Sequence, residues 1–330
     1  MEQFDPSNLL DTVKRALDPW SLDVLDLTLT SVSENWIFRV DTVKGKTFAL
    51  RLHRPGYHSF SELLSEQQWI AALHEEGIKV PSYQLSGNLQ AYTQVVINEL
   101  NETRHVSLVE WLEGSTLSKV LDQENDIYAI EAYFNQLGQL AARIHNQACS
   151  WRHPPSFQRH ALDTEGLVGD ASFWYPFWDI PELNQVQRSQ MQQIRESLHR
   201  KLSDMGKEPE HYSLIHADLH PGNVIVTKGG LVAIDFDDAG FGWHAYELAV
   251  ALYNYWDKPF FEEARMGLIE GYRSHRKLSV EMVPQLPLFI LIRALAIIGW
   301  ISDRPELNRG DSLTTLIPRA LDMAESMELC

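Results

Sequence analysis

The pattern of apolar and polar positions indicates β-structure in the first part of the chain. Apolar and polar residues alternate through LDVLDLTLTSVSENWIFRVDTVKGKTFALRLHRP (22–55), which predicts antiparallel strands with VKGK as the turn between two of them. A short amphipathic helix is predicted before these strands, over residues 7–17. Further strands are predicted in VPSYQLS, AYTQVVINEL and HVSLVEWL.

One longer helix is predicted among these strands. Ser59 and Glu62 have the spacing of a capping box, which indicates a helix beginning at this point. The helix is expected to run to about Glu76, because Gly77 is a residue that commonly ends helices. Glu66 lies on the face of this helix that carries its apolar side chains.

From Leu117 onward the periodicity becomes that of helices. In IEAYFNQLGQLAARIHNQ (130–147) the apolar residues recur at helical spacing, and HAYELAVALYNYW and the segments after it are also predicted to be helical. Between these helices, SLIHADLHPGNVIVTKGGLVAIDFDDAGFG (213–242) predicts short strands. Its TKGG sequence (227–230) predicts the turn of a hairpin.

These elements predict an α+β protein with two lobes. The chain has 330 residues, which is too long for one simple core. We expect a small antiparallel β-sheet N-lobe with one main helix over residues 1–105, a hinge over 106–117, and a larger, mostly helical C-lobe over 118–330.

Composition and charge exclude some partners. Apolar (44%) and charged (22%) contents are those of an ordinary soluble globular protein. The formal net charge of −17 predicts a surface that repels nucleic acid and anionic lipid, so neither is expected as a partner. With two cysteines and no secretion signal in MEQFDPSNLL, a reducing, cytoplasmic setting is expected. The apolar segment 286–300 contains Arg293 and is too short to span a bilayer, so we predict a buried helix.

The segment LIHADLHPGN (214–223) places several polar side chains directly behind a buried strand. Asp218 follows the strand, Asn223 comes five residues later, and the hairpin should bring Asp235 back beside the loop. Phosphoryl transfer uses a carboxylate for the attacking hydroxyl, and a carboxylate and an amide to hold Mg²⁺. Asp-x4-Asn followed by Asp on a neighbouring strand is the spacing of the kinase catalytic and metal loops.

Two other interpretations of this segment are open. Asp and Asn beside Pro-Gly are common as simple turn formers. A zinc site could be formed by His216, Asp218 and His220, although the Pro-Gly beside the two histidines argues against the helical spacing that such sites use.

The motif HADLHPGNVIV, followed by VAIDFDDAGFG and YELA, resembles the aminoglycoside phosphotransferase family of kinase-like small-molecule phosphotransferases. That family includes choline and homoserine kinases and a bacterial stress-response kinase. The resemblance implies a bilobal protein-kinase-like fold and ATP- and Mg²⁺-dependent transfer of the γ-phosphate to a hydroxyl of an amino alcohol, amino acid or aminoglycoside. It also implies that Asp218 is the catalytic base, that Asn223 and Asp235 bind Mg²⁺, and that His216 braces the loop.

The strand FALRL carries Arg51, the cation expected to pair with Glu66. A carboxylate on the apolar face of a helix needs a partner, because its unpaired burial costs several kcal/mol. The resemblance implies that Arg51 also contacts the nucleotide phosphates, at a position where kinases usually carry Lys. Arginine can serve both purposes through its fork of donors. Glu62 is the rival partner, and an unrelated surface Arg and Glu is the remaining alternative.

The stretch TSVSENWIF (30–38) lies where kinases carry a glycine-rich phosphate loop, but it contains no glycine. Ser33 and Asn35, with Ser31 and Glu34, are the candidates to bind phosphates through hydroxyl and backbone N–H groups. An ordinary hairpin turn is the alternative.

The stretch SLVEWLEG (107–114) matches the interlobe hinge of kinases. The Glu110 carbonyl and the Leu112 N–H are expected to bond the adenine base, with Val109 behind it. The alternative is an edge strand that ends at Gly114.

Candidates for the acceptor side are less defined. ASFWYPFWDI (171–180) is rich in large aromatic residues, and Trp178 could hold an amine by cation–π contact. Asp237 and His220 are further candidates for acceptor contacts. Packing in the core is the alternative for the aromatic residues. Arg293 needs a partner inside its apolar helix, and either lines the acceptor site or makes a buried structural pair.

Two other functions stay open. A protein kinase of the stress-response type is one, because ALRLHRP and SENWIFRV also resemble that kinase. A nucleotide-binding regulator without catalysis is the other, motivated by Arg51 at the usual Lys position and by the absent glycines.

Overall fold

The computed structural model describes residues 9–33, 35–278 and 281–330. The helices are α1 (Leu10–Ala16), α2 (Phe60–Glu75), α3 (Leu117–Leu121), α4 (Ile127–Ser150), α5 (Thr164–Val168), α6 (Gln185–Ser203), α7 (His244–Tyr253), α8 (Phe261–Arg273), α9 (Leu286–Ser302) and α10 (Leu313–Ser326). The strands are β1 (Val24–Val32), β2 (Trp36–Thr42), β3 (Thr47–Leu52), β4 (Tyr92–Ile97), β5 (Glu102–Glu110), β6 (Ser115–Thr116), β7 (Ala161–Leu162), β8 (Tyr212–Ile215), β9 (Val224–Thr227), β10 (Gly230–Ala233) and β11 (Gly240–Trp243). This content confirms the predicted α+β class.

Contacts divide the chain into two compact units. The first unit comprises Met1–Glu113 and His153–Gln158, and the second comprises Gly114–Arg152 and Arg159–Cys330. β5 runs to Glu110 within the first unit. The predicted hinge at 106–117 stays a prediction.

The first unit contains a five-stranded antiparallel sheet in the order β1-β2-β3-β5-β4. The predicted alternation is confirmed in β2, where Trp36, Phe38 and Val40 are buried and the residues between them are partly exposed. The strand predicted in VPSYQLS is wrong, because this stretch makes a single bridge, from Tyr83 to Val109. Pro81 lacks the N–H that a ladder needs there.

Helix α2 begins and ends as its sequence predicts. The Ser59 side chain accepts a hydrogen bond from the Glu62 N–H at 3.3 Å, and the Glu62 carboxylate accepts one from the Ser59 N–H at 2.9 Å. Gly77 follows the helix with φ of +72°, a conformation that glycine adopts without strain. The capping box therefore sets where α2 begins, and Glu66 lies on the buried face of the helix.

The second unit is mostly helical, with two small three-stranded sheets. β9 and β10 form the predicted hairpin, in which Gly230 pairs with Thr227. β8 pairs with β11 in the other sheet. The loop 216–223 therefore leaves the end of one sheet and enters the first strand of the hairpin.

Helix α9 confirms the prediction of a buried helix for 286–300. Among the residues that the structure describes, Val283–Ser302 is the stretch long and apolar enough to cross a membrane, and 67% of its apolar window is buried inside the protein. α9 packs along α7, the helix that directly follows β11, and this packing places Arg293 beside α7.

Candidate active site

The loop 216–223 brings Asp218 and Asn223 into direct contact. The Asn223 amide nitrogen lies 2.7 Å from Asp218 Oδ2 and 3.1 Å from the Asp218 carbonyl oxygen. Both of these Asp218 atoms are acceptors, so the amide must present its NH₂ group to them. The amide oxygen of Asn223 is therefore the atom that can serve a cation.

Asp235 lies at the end of the hairpin that follows. The Ile234 N–H donates to the Asn223 carbonyl oxygen at 2.9 Å, so the residue after Ile234 lies beside Asn223. Asp235 is exposed and has φ of +64°, in the left-handed region that is uncommon for a residue with a Cβ. One loop and one hairpin thus place Asp218, Asn223 and Asp235 in a single neighbourhood.

His216 holds the loop to the hairpin. Its Nε2 lies 2.9 Å from the Ile234 carbonyl oxygen, which can only accept, and its Nδ1 lies 3.3 Å from the Asp218 N–H, which can only donate. Both ring nitrogens of His216 are therefore engaged by backbone groups of the loop and the hairpin. Because both ring nitrogens are used within the protein, this arrangement argues against the zinc site of His216, Asp218 and His220.

Glu247 on α7 is a second residue that holds the loop 216–223 in place, and the sequence analysis did not identify it. Its two carboxylate oxygens accept the N–H groups of His216 and Ala217 at 2.8 and 2.7 Å. Ala217 has φ of +67°, which costs a residue with a Cβ about 1–2 kcal/mol. The carboxylate is fully buried, and burial raises the pKa of Glu247 although His216 and the two N–H groups oppose that shift. The signal available in the sequence is a lone acid in the apolar helix HAYELAVALY.

A buried histidine pair lies behind Glu247. The His145 and His244 rings stack with their centroids 4.2 Å apart. His145 Nε2 lies 3.5 Å from Glu247, and its Nδ1 lies 2.9 Å from the Tyr272 hydroxyl. Burial lowers the pKa of both histidines well below the usual value, so both rings are neutral at physiological pH.

Arg293 finds its partner in Asp218. Its guanidinium nitrogen Nη2 contacts Asp218 Oδ1. Burial by itself would raise the pKa of Asp218, and it is the largest single influence. The charge of Arg293, together with the charge and hydrogen bond of His220 at 3.5 Å, outweighs it and holds that pKa well below the usual range. Asp218 therefore stays ionised, as a group that orients a hydroxyl requires.

In the first unit, Arg51 pairs with Glu66. Arg51 Nη1 lies 2.7 Å from Glu66 Oε1, and the side chains are 7% and 0% exposed. The Tyr83 hydroxyl also donates to Glu66, at 3.0 Å. Glu62, the rival partner, accepts hydrogen bonds from the Ser59 backbone and hydroxyl at the start of α2.

The predicted phosphate loop has the geometry of a hairpin turn. The Ser33 N–H donates to the Asn35 carbonyl oxygen at 3.1 Å. Asn35 is buried, and its side-chain oxygen accepts the Arg54 N–H at 3.2 Å. That contact ties the turn to the end of β3. Glu34 lies outside the described residues, and phosphate binding by Ser33 and Asn35 stays a prediction.

The predicted adenine-binding residues lie at the end of β5. Glu110 is the last residue of the strand, and its N–H donates to the Ser82 carbonyl oxygen at 2.9 Å. Its exposed carboxylate accepts the Ser82 hydroxyl at 3.2 Å. Leu112 lies two residues beyond the strand and is partly exposed. Their role with a base stays a prediction.

The acceptor candidates are spread over several elements. Trp178 is buried, and the Arg195 guanidinium lies over its ring at 4.1 Å, which indicates a packing role. Asp237 is buried, and its carbonyl oxygen accepts a hydrogen bond from the Arg159 guanidinium. His220 lies on the loop 216–223, where its Nδ1 accepts the N–H of the second residue after it at 2.9 Å.

Comparison with known proteins identifies a matching family and similar sequences. The family model described as phosphotransferase enzyme family matches residues 28–280. An amicoumacin kinase of Bacillus subtilis (strain 168) is 29% identical over 188 residues, which cover 54% of this chain. That match spans 53%, about half, of the relative's own length.

Solved structures extend the likeness over nearly the full chain. The structure of a microcompartment-associated aminopropanol kinase has a TM-score of 0.79 and 27% identity, and the match covers 95% of both chains. The amicoumacin kinase hAmiN, in complex with AMP-PNP, Ca²⁺ and Ami, has a TM-score of 0.78 and 22% identity, covering 97% of this chain and 94% of that one. These neighbours confirm the predicted kinase-like α+β fold.

Proposed function

The chain belongs to the phosphotransferase enzyme family, and from this premise we propose that it transfers the γ-phosphate of ATP to a hydroxyl group of a small molecule. The acceptor we propose is of the amino alcohol, amino acid or aminoglycoside type. The relatives named as kinases of aminopropanol and of amicoumacin support a small-molecule acceptor.

One observation carries this proposal. The Asn223 amide bonds Asp218 through its NH₂ group, while its backbone carbonyl bonds the residue before Asp235. A single residue thereby joins the proposed base to the proposed metal site. A set of unrelated turn formers would not require these three residues to be brought together in this way.

The residues present fit a magnesium ion. The Asn223 amide oxygen and the Asp235 carboxylate are hard oxygen donors, which Mg²⁺ prefers. When bound, Mg²⁺ would offset the negative charge on the phosphate groups.

Asp218 is the proposed base. Its carboxylate would accept a hydrogen bond from the acceptor hydroxyl and orient the oxygen toward the γ-phosphorus. As the new phosphorus–oxygen bond forms, the bond to the ADP oxygen breaks, and the hydroxyl proton passes to Asp218. A carboxylate that stays ionised is always ready to orient the hydroxyl, and proton transfer late in the reaction suits its weak basicity.

Arg51 is the proposed phosphate-binding cation of the first unit. Glu66 engages Nη1, and a guanidinium carries five N–H donors in a fixed fork. A guanidinium whose plane is fixed by a carboxylate can bind phosphate oxygens through its fork of donors. Arginine at this position is therefore compatible with catalysis.

The test is a transfer assay with the purified full chain. ADP release would be followed with ATP or GTP, with and without Mg²⁺, against amino alcohols, homoserine, choline and aminoglycosides. Asp218→Asn should lower turnover by about 10²–10⁴-fold while nucleotide binding survives. Asp322→Asn, an exposed position on α10, is the matched control and should leave turnover unchanged.

Other outcomes would redirect the assignment. Labelled phosphate found in protein and in none of the small molecules would favour the protein kinase. Nucleotide binding without any transfer would favour the regulator. Equal turnover of the Asp218→Asn variant and the unaltered chain would show that the base has been assigned to the wrong residue.

A further inference from the structure

Arg293 is a charged side chain in the middle of the most apolar helix. Its side chain is 12% exposed, and most of the residues around it on α9 are buried. A guanidinium in such a place is stable only when paired, because the desolvation of an unpaired charge costs several kcal/mol. Its carboxylate partner is Asp218, 75 residues earlier in the chain.

The Asp218 carboxylate is held at both of its oxygens. Arg293 Nη2 contacts Oδ1, and Asn223 Nδ2 contacts Oδ2 at 2.7 Å. Rotation of the carboxylate about its own axis would break both contacts at once. Each oxygen can accept more than one hydrogen bond, so this arrangement still leaves acceptor capacity for a hydroxyl.

Arg293 is itself fixed by aromatic rings. Its guanidinium lies 5.8 Å from the centroid of the Trp174 ring, within the range of cation–π contacts. The Trp174 ring stacks with Tyr246 at 6.0 Å, and its indole N–H donates to Asp238 Oδ2 at 3.3 Å. A guanidinium anchored in this way transmits a defined position to its partner.

On these contacts, and resting on the function proposed above, we propose that Arg293 is a positioning residue. It fixes the Asp218 carboxylate in the orientation that receives the acceptor hydroxyl. Direct binding of an acidic group of the acceptor by Arg293 is the competing role. The local charge opposes that role. The negative charges of Asp218 and Asp238 already interact with the Arg293 guanidinium and would repel a further acidic group.

The first test compares single substitutions in the transfer assay. Arg293→Gln should lower kcat by about 100-fold, as expected for a misplaced catalytic group, and leave KM for the acceptor and for ATP nearly unchanged. Arg293→Lys keeps a charge without the fork and should recover part of the loss. The control is Arg319→Gln, because Arg319 likewise pairs with an aspartate, at 2.7 Å, and lies over a tryptophan, at 4.4 Å, but does not touch Asp218. It should keep the kcat of the unaltered chain.

The second test is a double-substitution cycle. If Arg293 acts only through Asp218, then Asp218→Asn together with Arg293→Gln should be as slow as Asp218→Asn alone, within about threefold. Effects that multiply would overturn the proposal and assign Arg293 to the substrate. A raised acceptor KM with unchanged kcat would do the same.

Urea unfolding of every variant separates misfolding from loss of positioning. Should Arg293→Gln fail to fold, Arg293→Lys decides, since unchanged kcat in that folded variant would overturn the proposal. If the unaltered chain transfers phosphate but Arg293→Gln keeps its kcat, the positioning role alone fails. If the unaltered chain transfers no phosphate to any acceptor, the proposed function fails and the positioning role fails with it.

Discussion

Replacing Arg51 by methionine should destabilise the first unit and abolish nucleotide binding, and the two losses can be separated. Methionine has similar length and apolar character, so the substitution removes the charge with little change in packing. What it removes is the guanidinium 2.7 Å from the buried carboxylate of Glu66.

The magnitude follows from the burial of the pair. The side chains are 7% and 0% exposed, and removing one partner of such a pair typically costs about 3–5 kcal/mol. The Tyr83 hydroxyl remains 3.0 Å from Glu66, and a hydrogen bond of this kind contributes about 1 kcal/mol. We therefore expect Arg51→Met to cost about 3 kcal/mol, near the lower end of the range.

The assay is urea unfolding with and without ATP and Mg²⁺. Arg51→Met combined with Glu66→Gln should recover most of the lost stability, because no buried carboxylate is left without its cation. The same double variant should still lack the stabilisation that we expect saturating ATP to give the unaltered chain, which is about 2.7 kcal/mol at a hundred times Kd.

Arg39→Met is the matched control on the neighbouring strand β2. Arg39 pairs with Asp41 at 2.9 Å, but the side chains are 35% and 28% exposed and the pair is screened by solvent, so the loss should be far smaller than for Arg51→Met. If Arg51→Met cost no more than this control, the reasoning about the buried pair would be refuted. If the double variant kept the full ATP effect, Arg51 would not be the phosphate-binding cation.

Two further predictions concern the second unit. The pKa values of buried His145 and His244 lie well below the usual value. Below about pH 6.5 these histidines therefore bind protons in the unfolded chain but stay neutral in the folded chain. Stability in urea should then fall by about 1.4 kcal/mol per pH unit for each histidine, and a flat profile from neutral to mildly acidic pH would contradict this. Gly271→Ala should lower Tm by several degrees, because its Cβ would lie 1.9 Å from the Asn135 carbonyl oxygen and force α8 away from α4. Gly310→Ala meets nothing within 4 Å and should leave Tm unchanged.

The helices and strands and the Arg51–Glu66 ion pair could be predicted because short stretches of sequence determine them. The capping box at Ser59 and Glu62 specifies where α2 begins, and the helix period then places Glu66 on the buried face. A buried carboxylate needs a cation, and Arg51 was the candidate on a neighbouring strand. The strand predicted at residues 80–86 was wrong because this stretch pairs with β5 at a single bridge, and Pro81 lacks the N–H that would extend it.

The contacts that support the loop 216–223 could not be predicted because they are tertiary contacts. Glu247 reaches the backbone of residues about thirty positions earlier, and Arg293 reaches Asp218 across 75. A lone charge in an apolar helix indicates that some partner exists. Which partner it is depends on how α7 and α9 pack, and periodicity carries no information on that packing.

The two backbone amide hydrogens that Glu247 binds can report on the loop 216–223 by hydrogen exchange. Those of His216 and Ala217 end on a side chain of α7 and not on a neighbouring strand. Their exchange with deuterium should therefore follow the local opening of α7, while the amides of β8 follow the opening of their sheet. A ligand that tightened only the sheet would slow exchange in β8 and leave these two positions as fast as before.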